Sequence, residues 1–516
     1  MPQDYNSRMN VIAILDIGKT NKKLFLFDEH YKIVLEQSAT FDPVPDEDGE
    51  SCENLQQLTE WVCDSLTGLS RLPDLTIRAV NFSAYGASFV HLGAAGRPVA
   101  PLYNYLKPYP DELKKKFYDA YGGEVTFSML TASPVLGSLN SGMQLYRIKE
   151  LQPELFSRIK YSLHLPQYLS FLLTGQACSD ITSIGCHTNL WNFSQSHYHE
   201  WVYREGIVDK LAPVLPSTSV HPLLAAAGSA GGGARDSGSR GGGDASIPAF
   251  PGPPFPTGLP PIAMAGIGLH DSSSAMIPYL ESFREPFVLI STGTWCISMN
   301  PFNDSPLTVA ELQQDCLCYM SYQGTPVKAS RLFAGQEHEQ QVRRLAEYFH
   351  RSSAYAAGIE FDADMVAMLQ TREEGATAGR SGKTGSGAVT GSAVRSGATT
   401  GSGGAVATAF VFGQRELTAF DSFEQAYHRL LMDIMEQQVI STELVLQGTE
   451  VKRIFVDGGF GKNQVYMHLL AAAFPDMEIF AASIPQATAM GAALAIHPHW
   501  NSRFLPGDII ELKYYK

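Results

Sequence analysis

The feature that most constrains the fold is a motif that occurs twice: an apolar strand, a polar turn with glycine and threonine, and a second apolar strand. It is found at residues 11–28, VIAILDIGKTNKKLFLFD, and again at residues 287–300, FVLISTGTWCISMN. Runs of β-branched and aromatic residues on both sides of a glycine turn predict a β-hairpin in each case. The recurrence predicts two domains that are built from the same unit.

The tripeptide Gly18-Lys19-Thr20 indicates a phosphate site, and a P-loop is the first candidate. A P-loop requires a glycine where this chain has Ala13, and a helix after the lysine, where residues 22–27 predict a strand. A second Gly-Lys-Thr, at 382–384, has no preceding strand. We therefore exclude a P-loop at both places. A hairpin turn can still bind phosphate through consecutive backbone N–H groups, and an ordinary solvated turn is the alternative.

Length and charge exclude several classes of protein. The chain has 516 residues, which is enough for two large domains and a cleft, and its net charge of −14 argues against a nucleic-acid surface. No apolar run approaches the roughly 18–20 residues of a membrane helix, and the polar start MPQDYNSRMN does not resemble a signal peptide. Seven scattered cysteines without a C-x-x-C pair argue against zinc and favour a reducing compartment. These features predict a cytoplasmic protein with no membrane or nucleic-acid partner.

Two stretches lack the composition of a packed domain. Residues 225–260 are rich in Gly, Ala, Ser and then Pro, and residues 374–406 are almost entirely Gly, Ser, Ala and Thr. Neither can bury enough apolar area to offset the entropy of ordering it, so both are interpreted as flexible surface insertions. The first coincides with the predicted boundary between an N-terminal domain, 1–262, and a C-terminal domain, 263–516.

Other segments predict local structure. Residues 77–105 are interpreted as three strands separated by turns, and residues 453–474 as a strand, a glycine pair and a helix. Residues 421–447 predict a helix that begins with a capping box of Asp421 and Glu424.

Four short motifs appear in a fixed order along the chain. They are Asp16-x-Gly18-x-Thr20-x-x-Lys23, Ser291-Thr292-Gly293-Thr294, Asp457-Gly458-Gly459-x-Gly461-x-Asn463, and ATAMGAALA at 487–495. Together they resemble the FGGY family of carbohydrate kinases, over nearly the whole chain outside the two insertions. The resemblance implies an α/β fold of two ribonuclease-H-like domains, the superfold of actin, Hsp70 and sugar kinases, with a cleft between them.

The resemblance also implies that ATP and Mg²⁺ bind in this cleft. The nucleotide-binding candidates lie in the two hairpin turns and the glycine loop: Gly18, Thr20, Asn21, Lys23, Thr292, Gly293, Thr294, Gly458, Gly459 and Asn463. Asp16, at the end of the first strand, is the candidate Mg²⁺ ligand. Glycines allow backbone to approach a nucleotide closely, although the pair at 458–459 also suits a tight strand-to-helix turn. Lys462 and Asn463 either contact the nucleotide or begin the next helix.

Family members carry their catalytic aspartate at the position that Asp271 occupies in AGIGLHDSSSAMIPYL, residues 265–280. By this likeness Asp271 takes the proton from the sugar hydroxyl. One alternative is that Asp271 only caps the helix that follows. Another is that His270, whose ordinary pKa is closer to neutral, is the base, although it matches no catalytic position of the family.

The acceptor sugar is expected against the first domain. The candidate contacts are Ser83, Tyr85, Gly86, Asn104 and Tyr105, together with Asp271, and Asp180 is a further candidate near the cleft. The predicted activity is phosphorylation of a ketose such as L-rhamnulose, L-fuculose or a pentulose (ribulose or xylulose); Tyr85 stands where xylulose kinases tend to have histidine. The alternatives are a kinase of glycerol or another polyol, and a non-catalytic sensor of ATP and sugar. The only partner predicted is the small-molecule substrate, and the sequence leaves open whether the protein forms a homodimer.

Overall fold

The computed structural model describes residues 8–224, 259–381 and 410–516. Most of each predicted insertion, and the second Gly-Lys-Thr at 382–384, lie outside the described residues. Within the ranges that are described, no helix is both long and apolar enough to cross a bilayer.

The first half of the chain is organised around a mixed sheet. From edge to edge its strands are Val220–Pro222, Met264–Gly266, Leu75–Ala84, Met9–Ile17, Lys22–Asp28 and Ile33–Ala39, with Leu269–His270 also paired to Leu75–Ala84. The strand 9–17 pairs antiparallel with 22–28 and parallel with 75–84. Its side chains alternate between two hydrophobic clusters, with Leu15 in one and Ile14 in the other. The sheet is therefore covered on both faces.

The second half contains a sheet with the same arrangement. Its order is Cys316–Met320, Pro326–Leu332, Cys296–Asn300, Val288–Thr292, Arg453–Gly458, Glu478–Ser483 and Glu511–Tyr515. In both sheets the central strand opens a hairpin whose antiparallel partners lie on one side, and parallel strands lie on the other. The prediction of two similar α/β units from the recurring hairpin is confirmed.

Helices cover both sheets. In the first half they are Leu55–Gly68, Asp111–Ala120, Glu124–Thr131, Ser141–Leu151, Pro153–Arg158, Leu165–Thr174, Ile181–Ile184 and Glu200–Arg204. In the second half they are Asp271–Ser282, Val309–Gln313, Ala334–Tyr348, Ala363–Ser381, Phe423–Leu446, Gln464–Ala473, Ala487–Ala495 and His497–Trp500. Short strand pairs complete the structure: Val44–Pro45 with Ser51–Cys52, Phe89–Leu92 with Tyr161–His164, Ser179–Asp180 with Val214–Leu215, and Trp191–Asn192 with His197–Tyr198.

The junction between the halves is built from two helices in close contact. A side chain on Gly491, in the helix 487–495, would place its Cβ 1.8 Å from the carbonyl oxygen of Ser274 in the helix 271–282, so only glycine allows this approach. The same helix 487–495 reaches back to the first sheet, where Asn81 Nδ2 donates to the carbonyl oxygen of Ala492 at 2.8 Å.

The pairing of the strands bears on where the two halves of the chain divide. Residues 264–266 and 269–270, which the predicted boundary assigns to the C-terminal domain, hydrogen-bond to the strand 75–84 of the first sheet. We therefore propose a division after His270 rather than between residues 262 and 263.

Two local predictions were wrong. The segment 77–105 forms only the strands Leu75–Ala84 and Phe89–Leu92, and the expected third strand is reduced to isolated bridges at Pro98 and Leu102. The long helix begins at Phe423 and is capped by Ser422, whose hydroxyl accepts from the backbone N–H of Gln425. The predicted capping box of Asp421 and Glu424 does not form, because Ser422, itself a good cap, occupies the N-cap position and the Gln425 side chain accepts from the Asp421 N–H.

Candidate active site

The ends of three parallel strands bring the candidate acidic residues together. Asp16 lies beside Ser83 in the pairing of strands 9–17 and 75–84, and Leu269 lies beside the same Ser83 from the other side. Asp271 follows two residues later, at the first turn of the helix 271–282. Because parallel strands end at one edge of a sheet, the two carboxylates lie at the same edge, close enough for the charge of Asp271 to affect Asp16.

Both carboxylates have perturbed acidities. Burial raises the pKa of Asp271 to about 6, although the backbone N–H and hydroxyl of Ser272 oppose the shift. Burial likewise raises the pKa of Asp16 to about 6; a hydrogen bond from Thr488 opposes the rise, and the negative charge of Asp271 adds to it. Neighbouring carboxylates with raised pKa values are typical of catalytic sites.

The N-cap of the helix 271–282 is His270, and Asp271 is its first helical residue. Asp271 Oδ1 accepts from the backbone N–H of Ser272 at 2.6 Å. A carboxylate in the first turn also interacts favourably with the helix dipole. The Asp271 side chain is 32% exposed, so part of the carboxylate is accessible from solvent. Asp271 thus stabilises the start of the helix and remains accessible to a substrate.

His270 is enclosed by protein. Its Nε2 lies 3.3 Å from Cys186 Sγ and 3.2 Å from Asp271 Oδ1, and a side chain on Gly86 would place its Cβ 2.8 Å from the ring. Burial lowers the pKa of His270 to about 4. The imidazole is therefore neutral at pH 7 and a weaker proton acceptor than Asp271.

The first hairpin turn has the geometry that the sequence predicts. The strand Lys22–Asp28 follows the turn, and the Gly18 N–H donates to the carbonyl oxygen of Asn21 at 2.9 Å. Thr20 and Asn21 are exposed at the tip. Lys23 stands opposite Asp16 in the hairpin, but its ammonium is bonded to Glu36 at 3.1 Å.

The second turn is joined to the glycine loop. The Thr292 hydroxyl donates to the carbonyl oxygen of Asp457 at 2.6 Å and accepts from the Phe460 N–H at 3.0 Å. This hydroxyl supports the fold and is not free for a ligand. Gly293 and Thr294 are exposed, and the Thr294 carbonyl oxygen accepts from the N–H of Gln336 at 3.1 Å.

The two glycines of the loop have different roles. Gly458 has a φ of +94°, and a Cβ there would lie 2.0 Å from the carbonyl oxygen of Thr292. Gly459 is exposed and precedes the short helix Phe460–Lys462, and a Cβ there would meet nothing within 4 Å. Gly458 therefore serves the turn, while Gly459 faces open space in which a ligand can lie.

Asn463 is used by the protein itself. It is the N-cap of the helix 464–473: its Oδ1 accepts from the Tyr466 N–H at 3.0 Å, and its Nδ2 donates to Tyr427 at 2.7 Å. Both polar atoms of the side chain are engaged, which favours the helix-starting role over the contact with a nucleotide.

The structure brings some of the candidate sugar contacts together and separates others. Tyr85 and Tyr105 pack edge to face with ring centroids 6.1 Å apart, and Gly86 lies against His270. Burial, and next the charge of Asp271, raise the pKa of the Tyr105 phenol, which places Tyr105 near that carboxylate. Ser83 is buried beside Asp16, whereas Asn104 lines a separate pocket of about 200 Å³ together with Lys107 and Arg147. Asn104 is therefore the outlying member of the set.

Asp180 is a structural residue. It is fully buried and caps the helix 181–184, and its carboxylate accepts from Thr182 and Ser217. The Thr182 hydroxyl in turn accepts from the His270 N–H at 3.0 Å. Asp180 thus holds the segment that precedes Asp271 and is not free to contact a sugar.

The acidic residues suit a magnesium ion that is held mainly by substrate. Asp16 Oδ2 accepts from Thr488 Oγ1 at 2.7 Å, and the Asp16 side chain is only partly buried, so the carboxylate can still reach a ligand. No group of three or more His, Cys, Asp or Glu in the described ranges could form a metal cage. Mg²⁺ is commonly bound by one or two carboxylates, waters and phosphate oxygens, which fits this arrangement.

Sequence reasoning missed three residues. Thr488 orients Asp16 from 472 positions away, and its motif gave no hint of that role. Lys19 and Glu53 lie against Tyr85, and for Lys19 the signal was present in the Gly-Lys-Thr tripeptide itself.

Comparison with known proteins agrees with this geometry. Residues 11–245 match the model of the FGGY family of carbohydrate kinases, N-terminal domain. Residues 284–392 match the carbohydrate kinase FGGY, C-terminal domain, and residues 423–496 match the FGGY family of carbohydrate kinases, C-terminal domain. A rhamnulokinase of Halalkalibacterium halodurans is 25% identical over 178 residues, which are 34% of this chain and 37% of that protein. The aligned segment therefore spans only about a third of this curated relative.

Solved structures show the same fold over almost the whole chain. A carbohydrate kinase from Novosphingobium aromaticivorans superposes with a TM-score of 0.72 at 21% identity, covering 98% of this chain and 94% of that one. A xylulose kinase from Lactobacillus acidophilus superposes with a TM-score of 0.70 at 14% identity, with the same coverage. The family matches cover most of the sequence in the expected order, and the superpositions extend over both halves of the chain. The chain belongs to the FGGY family of carbohydrate kinases.

Proposed function

We propose that this protein transfers the γ-phosphoryl group of ATP to a hydroxyl of a ketose. The observation that carries the proposal is the meeting of Asp16 and Asp271 at one sheet edge, each with a pKa raised to about 6. Family membership supports the reaction class, and the similarity to rhamnulokinase supports a ketose acceptor.

Asp271 acts as the general base in this proposal. Its carboxylate accepts the proton of the sugar hydroxyl, whose oxygen attacks the γ-phosphorus as the bond to the β-phosphate oxygen breaks and ADP leaves. A base with a pKa of about 6 is mostly ionised at pH 7, and it is a better proton acceptor than an ordinary aspartate. The Ser272 N–H fixes the orientation of the carboxylate.

The nucleotide is assigned to the turns and the glycine loop. Thr20 and Asn21 on one side, and Gly293 and Thr294 on the other, supply exposed turn backbone, and Gly18 closes the first turn. Open space at Gly459 accommodates the nucleoside. When bound beside Asp16, Mg²⁺ would neutralise the charge of the phosphate oxygens. The roles of Thr292 and Asn463 are confined to supporting these loops.

A catalytic role fits better than a sensor. A sensor needs no general base. Burying the Asp271 carboxylate beside Asp16 destabilises the fold, and a role as proton acceptor gives a reason for retaining it. The choice between a ketose and a polyol rests on the rhamnulokinase similarity alone.

The test is ATP turnover, measured as ADP release with Mg²⁺ present, over a panel of ketoses and polyols. We expect one ketose, with L-rhamnulose, L-fuculose and the pentuloses as the first choices, to be phosphorylated at a rate well above its polyol counterpart. Efficient turnover of glycerol or another polyol would replace the ketose proposal. Binding of ATP and sugar by calorimetry with no phosphorylated product would indicate a sensor.

A further inference from the structure

The ammonium of Lys19 is placed in an unusual way for a residue of a phosphate-binding turn. Its Nζ lies 5.2 Å from the ring centroids of both Tyr85 and Tyr105. The Lys19 side chain is only 32% exposed. The side chain therefore folds away from the tip of the turn and onto the two aromatic rings of the candidate sugar site.

Within the described ranges, the Lys19 ammonium has no hydrogen-bond acceptor. Its nearest carboxylate is Glu53, whose Oε2 is 3.8 Å away. Glu53 is already bonded to Lys22 Nζ at 2.8 Å and to the Tyr85 hydroxyl at 3.3 Å. Lys22, which is almost fully buried, is the closer partner of Glu53, so Lys19 has a long ion pair, the faces of two rings and three N–H donors without an acceptor within hydrogen-bond distance among the described residues.

The position of these rings decides which substrate Lys19 can reach. Tyr105 is close enough to Asp271 for that carboxylate to affect its titration, and Tyr85 is adjacent to Gly86, which packs on His270. The ammonium thus lies on the same side as the base and the candidate sugar contacts. A partly desolvated ammonium without an acceptor binds oxygen strongly when a ligand provides it.

We propose that Lys19 donates hydrogen bonds to an oxygen of the acceptor sugar, and so determines sugar affinity rather than ATP affinity. This inference rests on the proposed kinase activity. The oxygen is a carbonyl or hydroxyl oxygen, since an ammonium can only donate. The aromatic faces of Tyr85 and Tyr105 hold the ammonium in place, because a cation over two rings is stabilised there.

The experiment compares Lys19→Met with the wild-type protein on the acceptor found in the turnover panel. Methionine keeps the length and packs well against aromatic rings, so the fold is expected to survive. We expect KM for the sugar to rise about 10- to 100-fold, the range for a lost hydrogen bond to a charged group. We expect KM for ATP to stay within about twofold of the wild-type value. Lys19→Arg, which retains donors, should recover part of the sugar affinity.

Lys115→Met is the matched control. Lys115 lies on the helix 111–120 with 75% of its side chain exposed, and its loss should leave both KM values unchanged. A rise in KM for ATP alone, or unchanged kinetics in Lys19→Met, would overturn the inference and leave the kinase proposal intact. If Lys19→Met fails to fold, KM for the sugar and KM for ATP are measured on Lys19→Arg instead. Because arginine places its donors differently, the inference predicts that KM for the sugar changes and that KM for ATP does not. If the wild-type protein phosphorylates no carbohydrate, the proposed function fails and the inference fails with it.

Discussion

Replacing Asp271 by asparagine removes one carboxylate from the cleft and leaves its shape almost unchanged. The amide oxygen can still accept from the Ser272 N–H, which is 2.6 Å from Asp271 Oδ1 in the wild-type protein. The helix 271–282 therefore keeps its first turn, and the charge repulsion with Asp16 disappears. We expect the variant to fold with a melting temperature close to that of the wild-type protein.

The expected loss is one of catalysis. With a pKa of about 6, roughly nine tenths of the Asp271 carboxylates are ionised at pH 7, so nearly every molecule has a working base. A positioned general base contributes about 10²- to 10⁴-fold in rate, or about 3–5 kcal/mol of barrier. The loss should appear in kcat, with KM for ATP nearly unchanged, because other residues are assigned to the nucleotide.

The assay is ADP release at saturating ATP and acceptor, together with thermal denaturation. Asp119→Asn, at a surface position on the helix 111–120, is the matched control and should have wild-type kinetics. His270→Gln tests the rival base and should lower kcat far less than Asp271→Asn, since a histidine with a pKa of about 4 is a weak acceptor. Turnover by Asp271→Asn within about threefold of wild type would refute the assignment.

Three further outcomes are expected. Because the base must be ionised, kcat/KM should fall as the pH drops through about 6, and the coupled titration of Asp16 should add a second step. A kcat/KM profile that stays flat down to about pH 5 would contradict the titration of Asp271. Gly459→Val should fold and bind ATP at least about tenfold more weakly by calorimetry, and unchanged ATP affinity would remove Gly459 from the site. Gly458→Val should lose about 3 kcal/mol or more of stability, because its Cβ would strike Thr292. Shortening Gly228–Gly243, which lies outside the described residues, should change stability by about 1 kcal/mol at most and spare activity, and an inactive shortened protein would show that the tract is structural.

Local pattern alone was enough to predict the framework. A strand–turn–strand motif is specified by residues that are neighbours in the chain, so both hairpins, the strand and helix around the glycine pair, and the helix after Asp271 were predicted correctly. The third strand predicted in 77–105 does not form because a strand also needs a hydrogen-bonding partner that is distant in sequence. Residues 98–102 make only single bridges to such partners.

Which side chains of a motif face a ligand depends on contacts that are distant in sequence, and only the tertiary structure decides them. The first turn offers three lysines that look alike in the sequence. Glu53 neutralises Lys22, Glu36 holds Lys23, and the two tyrosine rings hold Lys19.

The sequence by itself therefore determined the fold class and the family, and it singled out Asp271 as the candidate base, because each depends on short motifs in a fixed order. The tertiary structure decided that Asp16 and Asp271 lie at one edge of a sheet, that Asn463 and Asp180 support the fold, and that Lys19 lies over the rings of Tyr85 and Tyr105. The physical reason is that acidity and hydrogen-bond availability depend on burial and on neighbours brought together by the sheets, and these are not properties of any local stretch of chain.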